Sequence, residues 1–304
     1  MLRLLAPAKL NLYLRVLGRR PDGYHDIETI FERIDLADEL TFEPAPSLDL
    51  TCSDPALSCG ENNLVMKAAR LLQQERGGGT GARIELVKRI PIAAGLGGGS
   101  SDAATTLLGL NVIWQLGLSR QRLKELAAQL GCDVPFFLES QAVAIGRGRG
   151  EQCESLGMTP TLFHVLVCPQ AQLSTRDVYE GIDRSDLTAS RPSITMVAHA
   201  LRNGPALAGL AEGLWNDLEP EAIRRCPIIA LVQSHLRALG CLAARMSGSG
   251  PSVFGLCRDA AQAQQVATAL QRLALTVNTI AVVRTLHAGR TGSLTKVSVR
   301  FDGE

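Results

Sequence analysis

Residues 91–104 read Pro91-Ile92-Ala93-Ala94-Gly95-Leu96-Gly97-Gly98-Gly99-Ser100-Ser101-Asp102-Ala103-Ala104. Four of the five residues from Gly95 to Gly99 are glycine. Without β-carbons, their N–H groups can approach a ligand closely. The run to Trp114 predicts a helix opening at Ser100 and Ser101, where unpaired N–H groups and the helix dipole favour an anion. The two hydroxyls can donate to phosphate oxygens or coordinate Mg. On the residues alone the stretch is either a polyphosphate cradle or a flexible turn capping a helix. So many glycines cost backbone entropy that a cap alone does not require, which favours the cradle. It is not a P-loop, because none of the five lysines follows a glycine. Nor is it a dinucleotide G-x-G-x-x-G, because Ser100 holds the third position.

Working outward, residues 2–16 alternate apolar and polar through Leu10, Leu12 and Leu14, the period of a half-buried strand. Pro21-Asp22-Gly23 predicts a turn into a second extended stretch, and residues 38–52 alternate again as an antiparallel neighbour. Apolar positions 64, 65, 68, 71 and 72 predict a helix over 61–74, and 82–91 returns to strand. Residues 119–131 predict a second amphipathic helix, with Ser119 as N-cap and Gly131 as C-cap. Residues 141–151 read as strand then loop. From about residue 156 a fresh set of elements begins: a buried strand at LFHVLVC, helices near 193–203, 219–226, 227–239 and 260–273, and strands at 242–246, 252–257 and 279–285. The class is α+β in two domains, 1–155 and 156–304, with a polar, glycine-containing tail after Gly289.

The chain has 304 residues, enough for about two domains. Lys plus Arg number 31 against 30 acidic residues, a net charge of +1. That balance supplies no field for a nucleic acid or an anionic membrane, so no nucleic-acid partner is expected. No apolar run nears the ~20 residues that span a bilayer, and Pro7, Lys9 and Asn11 interrupt the greasy start, so no membrane partner and a cytoplasmic location are expected. The eight cysteines form no C-x-x-C and read as reduced packing residues, with no metal site expected.

Other segments carry side chains open to two readings. Asp133 in GCDVPFF is either a catalytic carboxylate or the N-cap of a helix beginning VPFFLE. Lys9, on a half-buried strand, reads by itself as solvent-facing. Asn11 shares its face by period two. Tyr24 and His25 read as a hairpin-closing tyrosine and a surface histidine. Asn63 and Lys88 are ordinary loop and strand-end residues. The arginines of GRGRGE (146–151) fit a diphosphate or an exposed hairpin end, and MSGSGP (246–251) fits a ligand-facing loop or a tight inter-strand turn.

With these segments in order, the chain resembles the GHMP small-molecule kinases, whose hallmark is a Pro-x-x-x-Gly-Leu-Gly-Ser-Ser-type loop. Within them GLGGGSSDAA resembles the 4-diphosphocytidyl-2-C-methylerythritol kinases of the non-mevalonate isoprenoid pathway. PAKLNLYLRVLGRRPDGYHDIETIF (7–31), GCDVPFF (131–137), NDLE (216–219) and MSGSGPSVFGL (246–256) are similar to that family's segments in order and separation. Pro251 departs from it, standing where a small residue is more usual, and the tail has no counterpart.

The resemblance implies a nucleotide-binding α+β N-terminal domain and a ferredoxin-like α+β C-terminal domain with the reaction between them. ATP and Mg are the implied cofactors, and the partner is a small molecule carrying a cytidine diphosphate group. Asp133 is the implied general base, with Lys9 beside it. Gly95, Leu96, Gly97, Gly98, Gly99, Ser100 and Ser101 would hold the nucleotide, with Asn63 and Lys88 nearby. Asn11 and Thr175 would bind the acceptor, and Tyr24, His25 and Tyr179 would grip the cytosine, the tyrosines from opposite sides. A mevalonate, homoserine or sugar kinase of the superfamily is the alternative. The Tyr24-His25 pair and the Gly98-Gly99 insertion argue against it. A relative that binds without catalysis is disfavoured by the presence of both Lys9 and Asp133.

Overall fold

The computed structural model describes residues 1–182, 191–203, 207–273 and 275–287; the tail after Gly289 lies outside them. The opening alternation forms β1 (Leu2–Arg19), and the Pro-Asp-Gly turn leads into β2 (His25–Ala45), which pairs antiparallel with it. The stretch expected as one strand over 38–52 is two: β2 ends at Ala45 and β3 (Leu48–Cys52) runs parallel, not antiparallel, to β4 (Gly81–Val87). Pro46 and Ser47 supply the break. Between them lies α1 (Leu64–Arg76), capped by Asn63, whose Oδ1 accepts from the Val65 N–H. Then follow α2 (Gly98–Ile113), α3 (Arg120–Leu130), a 3₁₀ turn over Pro135–Leu138, and the hairpin of β5 (Val143–Arg147) and β6 (Gln152–Ser155). Ser119 caps α3 as its sequence predicts, accepting from the Arg122 N–H.

The second half runs β7 (Phe163–Pro169), α4 (Thr175–Glu180), α5 (Ile194–Asn203), α6 (Leu207–Gly213), β8 (Trp215–Asn216), α7 (Glu219–Arg225), α8 (Ile228–Ala238), β9 (Ala243–Met246), β10 (Val253–Cys257), α9 (Ala260–Gln271) and β11 (Val277–Arg284). Among the described residues the strands make two sheets. The first has seven, β1–β6 with β8 parallel on the outer edge of β1. The second is antiparallel in the order β11-β7-β10-β9. With α8 and α9 as crossovers, that order is ferredoxin-like, and α4–α7 and β8 are inserted into its first crossover. No described helix is long and apolar enough to cross a membrane.

The first sheet buries one face under α1–α3, with Phe42 and Ile84 at the centre. Its other face packs on the second sheet, where Leu10, Leu12 and Ile30 meet Leu166 and Phe254. Both faces of β1 are therefore covered over residues 6–14, where Lys9 and Asn11 are buried with the apolar residues. Along β7, alternate residues turn the other way: Val165 and Val167 pack beneath α7–α9. Where the sheets meet, the His164 imidazole lies 2.8 Å from Glu32 Oε2, and the Thr285 hydroxyl donates to Glu32 Oε1. The side chains of His164 and Glu32 are wholly buried. Removing one partner from such a buried group leaves the others desolvated and unpaired. Glu32→Ala should cost about 3 kcal/mol on that basis, read as a lower urea midpoint at an unchanged m-value.

Candidate active site

The glycine loop leaves β4 and enters α2 through left-handed backbone. Gly95 has φ of +75° and Gly97 of +69°. A β-carbon on Gly95 would sit 2.3 Å from the Ser247 carbonyl oxygen, and one on Gly97 would sit 2.9 Å from Lys9 Cγ. Glycine is required at both places by conformation and by space. The helix begins two residues earlier than its sequence predicts, at Gly98, and Gly97 stands at the N-cap without a side-chain bond. The first intrahelical bond runs from the Ser101 N–H to the Gly97 carbonyl, 2.9 Å. The N–H groups before it remain free to meet an anion.

Beneath the loop is a buried ionic cluster. The Lys88 ammonium donates to Asp38 and to Asp102 Oδ2, the latter at 2.8 Å, with all three side chains at most 6% exposed. The other oxygen of Asp38 accepts from the backbone N–H groups of Arg89 and Ile90. Burial opposes the charge on Lys88, but the two carboxylates carry it above its ordinary value. Burial pushes Asp102 up to about 7 against the pull of Lys88. Its Oδ1 is buried without a partner.

Above the loop, Ser247 in the β9–β10 turn ties three segments together. Its hydroxyl accepts from the Asn11 N–H at 3.2 Å and donates to the Gly95 carbonyl at 3.0 Å. The Lys9 N–H donates to the Leu96 carbonyl, 2.9 Å. The MSGSGP segment is thus an inter-strand turn that also packs on the first glycine loop. The NDLE segment holds this turn. Asn216 Nδ2 donates to the carbonyls of Met246 and Gly248, and Glu219 accepts from the Met246 N–H.

Lys9 is 4% exposed, not solvent-facing, because both faces of β1 are covered. Its Nζ lies 3.3 Å from Asp133 Oδ2 and 5.5 Å from the centre of the Phe31 ring. It also donates to Asn11 Oδ1. Asp133 caps no helix: the 3₁₀ turn has Val134 at its N-cap with no side-chain bond. The segment after Asp133 is pinned by buried Arg33, whose Nη2 donates to the Glu139 carbonyl at 3.1 Å and, more weakly, to those of Phe136 and Phe137.

A cavity of about 1000 Å³ connects these parts. Lys9, Asn11, Tyr24, His25, Asn63, Lys88, Gly95–Ser100, Asp133, Thr175 and Tyr179 all line it. Ser101 does not; its hydroxyl is wholly buried in the head of α2 and has no partner. Asn63 is committed to capping α1, its Nδ2 donating to the Ser58 carbonyl at 2.7 Å. Lys88 reaches the lining, but its ammonium is held by the two carboxylates. Thr175 Oγ1 is 2.8 Å from Ser249 Oγ, closing the second loop onto α4.

At the far end His25 stacks on Tyr179, centroids 5.2 Å apart and planes at 28°. Tyr24 is 54% exposed, with the Arg149 guanidinium 5.0 Å over its ring. The structure thus stacks Tyr179 on His25. Burial and then the charge of Arg19 push His25 below its ordinary value, so the ring is neutral at pH 7. Arg19, Arg149 and Arg176 line this end together with Asp22 and Glu180, and Arg176 donates to Glu180 at 2.8 Å. Arg19 and Arg176 take no role from the sequence, whereas the GRGRGE segment supplies Arg149, and it is this arginine, not Arg147, that lines the cavity.

The chain matches the GHMP kinases N terminal domain over residues 63–141 and the GHMP kinases C terminal domain over 197–274. It is 44% identical over 285 residues to a 4-diphosphocytidyl-2-C-methyl-D-erythritol kinase of Pelotomaculum thermopropionicum, covering 93% of this chain and 97% of the relative. It is 44% identical to one of Moorella thermoacetica, covering 89% and 95%. A crystal structure of 4-(cytidine 5'-diphospho)-2C-methyl-D-erythritol kinase superposes with a TM-score of 0.79 at 38% identity, covering 93% of this chain and 99% of that one. A homoserine kinase of Cytophaga hutchinsonii shares the fold, with a TM-score of 0.72 at 19% identity over 94% and 96% of the two chains.

The raised Asp102 value has a consequence for stability. Between the ordinary carboxylate range and about 7 the folded protein binds more protons at Asp102 than the unfolded chain does. This contribution is therefore full below that range and is lost as pH rises through about 7. Asp102→Asn should flatten the fall in stability from pH 5 to 8, measured by urea unfolding without nucleotide or metal.

Proposed function

The chain belongs to the 4-diphosphocytidyl-2-C-methyl-D-erythritol kinases of the GHMP kinase family, and we propose from that membership how its residues carry the reaction. The enzyme is an ATP-dependent small-molecule kinase that phosphorylates the 2-hydroxyl of 4-diphosphocytidyl-2-C-methyl-D-erythritol, in the non-mevalonate route to isoprenoid precursors. The observation that carries the assignment of roles is the Lys9–Asp133 pair, 3.3 Å apart, in one cavity with the glycine loop and the aromatic end.

The free N–H groups at the head of α2 receive the triphosphate oxygens and align the γ-phosphorus. Asp133, about one-third exposed, is reachable from the cavity. Its carboxylate takes the proton of the acceptor hydroxyl as that oxygen bonds to the γ-phosphorus. The bond from the γ-phosphorus to the β-phosphate bridging oxygen breaks, and ADP leaves. The Lys9 ammonium stabilises the negative charge growing on the acceptor oxygen.

Mg²⁺ takes oxygen ligands and is bound mainly by substrate phosphates with one or two protein groups. The Ser100 hydroxyl and the unpartnered Asp102 Oδ1, both on residues lining the cavity, suit it. Bound there, it would neutralise phosphate charge.

The aromatic end with its arginines fits a cytidine diphosphate. Arg19, Arg149 and Arg176 answer the diphosphate charge, and the cytosine stacks on Tyr24 and on the open face of the His25–Tyr179 pair. Thr175 and Ser249 border the path between this end and Asp133.

ADP release with Mg-ATP should occur with 4-diphosphocytidyl-2-C-methyl-D-erythritol and not with mevalonate or homoserine. Asp133→Ala should lower kcat by roughly 10²–10⁴-fold and leave the KM for ATP within a few-fold. Near-normal turnover would remove Asp133 from the base role. Tyr24→Ala loses a stacking contact of ~1–3 kcal/mol. It should raise the acceptor KM about ten-fold while kcat is kept; a fall in kcat alone would count against stacking.

A further inference from the structure

We propose that Thr29 is a positioning residue for phosphoryl transfer, acting through Asn11 on the Lys9 ammonium; the inference rests on the roles given above to Lys9 and Asp133. Thr29 lies on β2, is wholly buried, and does not line the cavity. Its pairing with β1 straddles irregularities. The register shifts between Asn11 and Tyr13, with Thr29 opposite Leu14. Such a shift re-aims side chains, and here it brings one hydroxyl within reach of both the Tyr13 carbonyl and the Asn11 amide.

The proton count fixes the arrangement. A threonine hydroxyl has one proton. Thr29 Oγ1 donates it to the Tyr13 carbonyl, 2.6 Å away. Only lone pairs then remain for Asn11, so the amide must turn its NH₂ toward Thr29, and Nδ2 donates to Oγ1 at 2.8 Å. That leaves Asn11 Oδ1 for the Lys9 ammonium, which can only donate. The ammonium is thereby shared between Asn11 and Asp133. The relay runs Tyr13 carbonyl, Thr29 hydroxyl, Asn11 amide, Lys9 ammonium, and it needs no contact between Thr29 and substrate. Asn11, expected to bind the acceptor, has both ends of its amide engaged in aiming Lys9.

Without the hydroxyl, the buried Asn11 NH₂ has no partner and the amide turns to find one, letting go of Lys9. Two variant pairs separate the hydroxyl from packing. Thr29→Val keeps the volume, and Thr29→Ser and Thr29→Ala lose the same methyl but differ in the hydroxyl. Thr29→Val should lower kcat about ten-fold or more, with the KM values for ATP and acceptor within about three-fold. Thr29→Ser should keep kcat within about two-fold despite a lower Tm, and Thr29→Ala should behave as Thr29→Val does. Wild-type kcat in Thr29→Val would overturn the proposal. If that variant does not fold, equal kcat in Thr29→Ser and Thr29→Ala would overturn it. A crystal structure of the unliganded Thr29→Val or Thr29→Ala protein decides without reference to the acceptor: Asn11 turned from Lys9 supports the relay, and both side chains unmoved reject it. Inactivity of the wild type toward the cytidylated acceptor would instead count against the function, with the crystallographic comparison still standing.

Discussion

The ammonium of Lys88, buried between Asp38 and Asp102, joins β2, the end of β4 and the head of α2 at one point. Charges this far from water are tolerable only when they satisfy one another. The cluster therefore fixes where the helix must start. A helix whose N-cap, Gly97, makes no side-chain bond is not held by the bonds that ordinarily cap a helix. Its position is supplied from below by Lys88 and from above by Ser247, and Gly95 and Gly97 let Ser247 and Lys9 come close to the backbone.

A second layer of support comes from the other half of the chain. Asn216 and Glu219 hold the turn that carries Ser247, and Asp217 accepts from the Val16 N–H at 2.8 Å on β1. NDLE is thus a bracket between the strand bearing Lys9 and the turn above the glycine loop. Arg33 does the same for Asp133 by gathering the carbonyls that follow it. The reacting groups are few, and most of the polar residues near them serve to hold backbone in place.

Local features were legible in the sequence. The alternation of β1, the Ser119 cap and the glycine-to-helix junction all depend on neighbours in the chain. So did the grouping of Lys9, Asp133 and the aromatic residues, which the resemblance supplied. What could not be read depends on contacts across many residues. The burial of Lys9 follows from the glycine loop, Phe31 and Phe137 closing over its face of β1, and periodicity cannot show that a polar strand face is covered. The break at Ala45 was hidden because the alternation continues through it. Ser101 looked like a ligand beside Ser100, but a helix starting at Gly98 turns the two in different directions. The His25–Tyr179 stack joins residues from opposite halves. Thr29 lies within the 7–31 segment but takes no role from the resemblance, and only the proton count around its oxygen singles it out.

The pairing of β8 with β1 has a consequence for how the protein is made. Trp215 and Asn216 complete the edge of a sheet whose other strands all come from the first 155 residues. As the chain leaves the ribosome, that sheet can assemble early, yet the edge of β1 at Tyr13 and Leu14 stays open while about sixty further residues are synthesised. An open edge is a template for wrong partners. The nascent protein thus passes through a stage at which chaperone binding would protect it, and the glycine loop acquires its upper support only after Ser247 has emerged.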